Sequence, residues 1–128
     1  MKTSIEIDAP ATAAWELLTD TGCWSQWGPS VVAAGCAGRF IKAGSTGWIE
    51  TILSVRLPFR ITRFEAGRRW NWEVAGIPAT GHLVESLGPD RCRVTFEVPL
   101  LAVSYLAVCR LAERSIKRIL EKENRPDE

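Results

Sequence analysis

KTSIEIDAPATAAWELLTDTGCWSQWGP, residues 2–29, reads as one strand followed by two short helices. Its first part alternates. Thr3, Ile5 and Ile7 fall on one side and Ser4 and Glu6 on the other, the mark of a half-buried strand. Pro10 stands where a first helical residue is expected, since its missing N–H costs nothing there. Ala11, Ala14, Trp15 and Leu18 then recur at helical spacing on one face. Gly22 breaks that helix, Cys23–Trp27 forms a short second one, and Gly28-Pro29 stops it.

Downstream the texture changes to short alternating runs. They are Val31–Ala37, Thr46–Leu53, Leu57–Glu65, Arg69–Ala75, Thr80–Leu87 and Arg91–Val98. Turn residues part them: Ala66-Gly67, then Gly76 with Pro78, then Gly88-Pro89-Asp90. Six strands at this spacing form an antiparallel meander. From Pro99 to Lys122 a long helix is expected, with Leu101, Tyr105, Val108, Ala112, Ser115, Ile116 and Ile119 on one face. Its first half is apolar all round, which calls for enclosure on several sides. Twisted sheets of this length curl, and the concave face needs a cover. The expected architecture is therefore α+β: a curved seven-stranded antiparallel sheet wrapped around the long C-terminal helix, with two short helices between strands 1 and 2. Residues 1–122 would form one domain and 123–128 a polar tail.

The 128 residues suit one hydrophobic core, and 46% are apolar and 24% charged. A net charge of +1, with Lys and Arg interspersed among Asp and Glu, argues against nucleic-acid binding. Met1–Asp8 lacks the apolar core of a signal peptide. The longest apolar run, Val98–Cys109, is too short to span a bilayer, so no integral membrane association and a cytoplasmic location are expected. Cys23, Cys36, Cys92 and Cys109 form no CxxC pair and there is a single histidine, so no metal site or cofactor is expected and the thiols read as reduced. No GxSxG elbow, P-loop, GxGxxG or HExxH pattern occurs.

The chain resembles the START-related helix-grip superfamily (SRPBCC), which includes polyketide cyclase/dehydrase-like and lipid-transport proteins. The resemblance rests on Ile7-x-Ala9-Pro10 leading into Trp15-x-x-Leu18-x-Asp20 and on Trp24-x-x-Trp27-x-Pro29. It continues through Gly44-x-x-Gly47, Leu57-Pro58-Phe59 with Ile61-Thr62, Arg69-Trp70-x-Trp72 and Gly81-His82-x-Val84, and so spans nearly the whole chain. It implies a pocket between sheet and helix that accepts a lipid- or polyketide-like molecule.

Six tryptophans need burial or a ligand to cover them. Trp70, Trp72 and Val74 share a strand face, Trp70 as core filler and Trp72 as a ring facing ligand. His82 shares a face with Thr80, Val84 and Ser86; it is the one candidate acid or base, though structural hydrogen bonding is the plainer role. Phe96 lies between Val94 and Val98 on the last strand, and the Tyr105 hydroxyl in the apolar half of the last helix needs a partner. The expected ligand-binding set is Trp27, Trp72, His82, Val84, Phe96, Tyr105 and Val108. In the third strand, Trp48-Glu50-Ile52 and Ile49-Thr51-Leu53 compete for the inside.

Three functions compete. The first is binding of a small hydrophobic or aromatic molecule by a monomer or homodimer. The second is a cyclase or dehydratase using the same cavity with His82 as acid or base. The third is a protein-interaction module. A hollow plugged by indoles and leucines would overturn the first.

Overall fold

The computed structural model describes residues 1–99 and 106–123, the side chains of 106–108 excepted. Strand β1 (Lys2–Ile7) is followed by α1 (Ala11–Thr19), a 3-10 turn (Thr21–Cys23) and α2 (Trp24–Trp27). Strands β2 (Val31–Cys36), β3 (Thr46–Thr51), β4 (Arg56–Glu65), β5 (Arg69–Val74), β6 (Ile77–Gly88) and β7 (Arg91–Glu97) then lead to α3 (Leu106–Glu123). The seven strands form one antiparallel sheet in the order β1-β7-β6-β5-β4-β3-β2, so each strand from β2 to β7 lies beside its sequence neighbour and β1 closes onto β7. This is the helix-grip architecture expected from the sequence.

Local chemistry explains the elements, with three departures from the sequence reading. Pro10 sits one position earlier than expected, as the residue preceding α1, extended at φ −62° and ψ 147°. There its carbonyl accepts from the Ala13 and Ala14 N–H groups, and the proline ring fixes the entry angle. β6 begins three residues earlier than its alternation suggested, because the β5–β6 turn is only Ala75-Gly76. Both residues have positive φ, 51° and 78°, as a tight primed hairpin turn demands, and Pro78 is thereby drawn into the strand opposite Glu73.

The third departure is in α3. Its buried stripe is Cys109, Ala112, Glu113, Ile116 and Leu120, rotated from the predicted face, and it brings a glutamate inside. Residues 100–105, the expected start of that helix, lie outside the described residues. No helix among the described residues is long and apolar enough to cross a membrane.

The edge region around β2 and β3 depends on small residues. A Cβ added to Gly47 would strike the Gly35 carbonyl and lie 2.7 Å from the Phe59 ring. Trp48 points to the convex side, its ring against Gly35 and under the Arg56 guanidinium, 4.1 Å from the ring centroid. Alternation therefore turns Glu50 outward, where it pairs with Arg56 at 3.5 Å, and turns Ile49 and Thr51 inward.

Candidate functional site

Antiparallel register lines up one residue per strand across the concave face: Phe64 opposite Trp70, Trp70 opposite His82, His82 opposite Phe96 and Phe96 opposite Thr3. This inner row lies under α2 and α3, and it is packed with rings. Trp70 is wholly buried between Trp24 (centroids 5.5 Å apart, 9° between planes) and His82 (3.8 Å, 23°). Phe96 meets His82 edge-on at 4.8 Å, and Trp27 meets Phe96 at 5.9 Å. The indoles of α2 are tethered to the end of α1: Trp24 Nε1 donates to Leu18 O at 2.9 Å and Trp27 Nε1 to Leu17 O at 3.2 Å. These bonds explain why the short Trp-x-x-Trp helix holds its position over the sheet.

Only about 40 Å³ is left open in this layer, bordered by Trp24, Trp27, Trp70, His82, Phe96 and Cys109. That admits water but no ring, since even benzene occupies a cavity of about 150 Å³. Toward the β2, β6 and β7 termini the sheet opens into an outer chamber of about 290 Å³, lined by Val31, Ile49, Thr51, Val74, Pro78 and Val98. Trp72, Thr80, Ser30 and Val31 border both spaces and form the partition between them. Exposed apolar side chains, Val32, Ile52, Leu53, Val55 and Ile77, lie at the same end of the sheet as the outer chamber.

The partition carries a hydrogen-bonded chain. Trp72 Nε1 donates to Thr80 Oγ1 at 3.1 Å, Thr80 Oγ1 is 3.0 Å from His82 Nε2, and His82 Nδ1 is 3.3 Å from Trp70 O. A carbonyl can only accept, so Nδ1 carries the hydrogen. Burial drives the His82 pKa down to about 3, and the ring is neutral at pH 7 with Nε2 bare. The Thr80 hydroxyl therefore donates to Nε2. Both ring nitrogens are occupied, and no carboxylate faces the imidazole among its hydrogen-bond partners.

A second polar group lies behind Phe96. Glu113 is buried on α3; its Oε1 accepts from the Thr3 hydroxyl at 2.9 Å, and its Oε2 has no hydrogen-bond partner among the described residues. Burial pushes its pKa up to about 7, against the lowering effects of the Thr3 hydroxyl and the Arg110 charge. The neighbouring Cys109 thiol is pushed up to about 11 by burial and by the Glu113 charge, which makes it a poor nucleophile. Asp20 belongs to a separate cluster. It accepts from Arg39 Nε at 2.7 Å, from the Gly22 N–H at 2.9 Å and from Cys23 Sγ at 3.3 Å, and these bonds hold its carboxyl below its ordinary value against burial. No group of three or more metal-binding side chains occurs among the described residues.

Of the residues expected from the sequence, Trp27, His82 and Phe96 meet at the inner space and Trp72 stands in the partition. Val84 is buried on the same face, but it borders neither space; it pairs with Val94 further from the opening. Tyr105 lies outside the described residues, and the Val108 side chain does too, although its backbone belongs to α3. Sequence reasoning passed over Thr80 as a handle and Pro78 as lining; it put Val74 on the face of Trp70 and Trp72 and left Ile49 and Thr51 competing with Trp48 and Glu50 for the inside. Alternation had already put Thr80 beside His82, and the outward Trp48 is the signal that would have placed Ile49 and Thr51 inside.

With this geometry in hand, the chain can be set beside known proteins. The solved structures that share its fold include the Zhui aromatase/cyclase from Streptomyces sp. R1128, at 10% identity over 98% of this chain and 94% of that one, with a TM-score of 0.74. The protein XoxI from Bacillus cereus matches at 13% identity over 98% of both chains, with a TM-score of 0.75. The di-domain aromatase/cyclase StfQ of the steffimycin biosynthetic pathway matches at 16% identity and a TM-score of 0.75; the match covers 96% of this chain and 45% of StfQ. At such identities the likeness establishes the fold. No curated protein matches the chain in sequence. Residues 1–123 match the family described as polyketide cyclase / dehydrase and lipid transport, and the chain belongs to that family.

Proposed function

We propose that this protein binds a small hydrophobic or aromatic molecule in the outer chamber between Ile49, Val74, Pro78 and Val98, with Trp72 and Thr80 as its floor. The observation that carries this reading is a partly open apolar space of about 290 Å³ beside an inner layer already filled by its own rings. Ligand burial there is driven by removing apolar surface from water, at roughly 25 cal/mol per Å². Trp27, His82 and Phe96 act from behind, setting the shape and polarity of the floor.

Family membership and the aromatase/cyclase names of two structural neighbours favour a second reading, a cyclase- or dehydratase-like activity in the same chamber. Under that reading, His82 does not serve as the base. Its Nε2 lone pair is held by Thr80 and its ring resists protonation. Catalysis would instead rest on confining a flexible chain in a folded conformation.

Titration with a neutral environment-sensitive dye such as Nile red tests the binding reading. Saturable binding with quenching of tryptophan emission is expected, and Val74→Trp should abolish it by filling the chamber. Absence of saturable binding by the unaltered protein, for this dye and for a panel of naphthalene- and anthracene-sized compounds, overturns it.

A further inference from the structure

The hydrogen-bond inventory of the partition goes further and, resting on the binding reading above, names the kind of ligand. A threonine hydroxyl has one proton and two lone pairs. At Thr80 the proton goes to His82 Nε2, because the Trp70 carbonyl keeps the imidazole hydrogen on Nδ1. One lone pair receives the Trp72 indole N–H. What remains is a single lone pair on a residue that lines the outer chamber. Thr80 can accept a further hydrogen bond and cannot donate one.

Charge is excluded by the lining. Among the described residues, no ionisable side chain lines the chamber. A carboxylate or phosphate moved into such surroundings would lose its hydration without gaining a counter-charge, a cost of several kcal/mol. Size follows from volume. About 290 Å³ is near twice the cavity that takes benzene, which suits two fused rings.

We propose that the outer chamber selects an uncharged aromatic molecule of about two fused rings bearing a hydroxyl group, and that Thr80 Oγ1 accepts the hydrogen bond from that hydroxyl. A phenol or enol satisfies this site; a ketone or ether at the same position presents one acceptor to another.

Calorimetric titration at pH 7 with 2-naphthol, 2-methoxynaphthalene and 2-naphthoate tests the proposal. The naphthol should bind about three- to tenfold more tightly than the ether, the span of one ordinary hydrogen bond, and the naphthoate should bind more weakly than both. Thr80→Val should erase the naphthol–ether difference. Thr80→Ser, which keeps the hydroxyl, should preserve the difference and guards against a folding defect in the valine variant. Ether or naphthoate binding equal to naphthol, or a preference that survives Thr80→Val in a folded protein, overturns the proposal. Failure of all three probes to bind overturns the binding reading along with it.

Discussion

The inner and outer rows of the concave face come from the same strands, two residues apart, and have opposite characters. On β5 the inner residue is Trp70, fully buried between two rings; two positions on is Trp72, half-buried with its indole N–H on Thr80. On β6 the inner residue is His82 and the outer Thr80; on β7 the inner residue is Phe96, and Val98 follows just past the strand's end. The inner row has α2 above it, pinned to α1 by its two indole hydrogen bonds, and the Cys109–Ala112 turn of α3 beside it. The outer row has smaller side chains and ends at an apolar rim. The same fold thus fills one layer of the sheet with its own rings and leaves the next open. Substitutions should divide along that line.

Trp70→Ala should have the largest effect. It removes a fully buried indole that contacts Trp24, Trp72 and His82, and a loss of about 3–5 kcal/mol is expected in urea unfolding. A loss under about 1 kcal/mol would mean that the inner row is not the structural layer.

The buried glutamate sharpens the contrast through pH. Glu113 has an ordinary value of 4.5 and a folded value of about 7, so the native state keeps a proton that the unfolded chain releases between those pH values. Its stabilisation is complete below pH 4.5 and lost as pH rises through 7. His82 runs the other way: from 6.5 its folded value falls to about 3, so its contribution is complete above pH 6.5 and lost as pH falls toward 3. Between pH 4.5 and 6.5 the two slopes oppose one another, and stability should be nearly level there. Glu113→Gln keeps an acceptor for the Thr3 hydroxyl and removes the alkaline limb. Unfolding free energies at pH 6 and pH 8.5 should then differ less in the variant than in the parent, by about 1 kcal/mol after allowance for solvent screening. Equal pH responses in the two proteins would place the Glu113 carboxylate in contact with water.

Most of the fold was legible because local signals agreed with one another. The alternation of Thr3, Ile5 and Ile7, the Trp-x-x-Trp-x-Pro stop and the Gly88-Pro89-Asp90 turn each name an element without help from its neighbours. What stayed hidden depends on contacts between distant segments. Glu113 is charged and lies off the face expected to be buried, yet the Thr3 hydroxyl, 110 residues away, receives its carboxyl inside. His82 was legible as a structural histidine, since alternation put Thr80 beside it, yet its tautomer is set by the Trp70 carbonyl across a strand pair. Alternation separated Trp70 as core from Trp72 as the ring nearer a ligand, but the extent of the filled layer stayed hidden, because it depends on Trp24 and Trp27 of α2 packing onto the sheet.

In the outer row, effects on binding and on stability should separate. Val74→Trp fills the chamber from its wall, so dye binding should vanish while the unfolding free energy changes by no more than about 1 kcal/mol, because the new ring enters open space and forces no overpacking.

The rim gives the smallest effect and the last test of the division. Leu53 is 80% exposed at the β3–β4 turn, and Ile77 is 68% exposed at the β5–β6 turn. Side chains so open gain little from folding, and Leu53→Ser should shift stability by less than about 0.5 kcal/mol. A shift well beyond that would mean that the turn folds down over the chamber in solution and shares its burial. The outer row would then be a second core, and the contrast with the layer around Trp70 would lose its meaning.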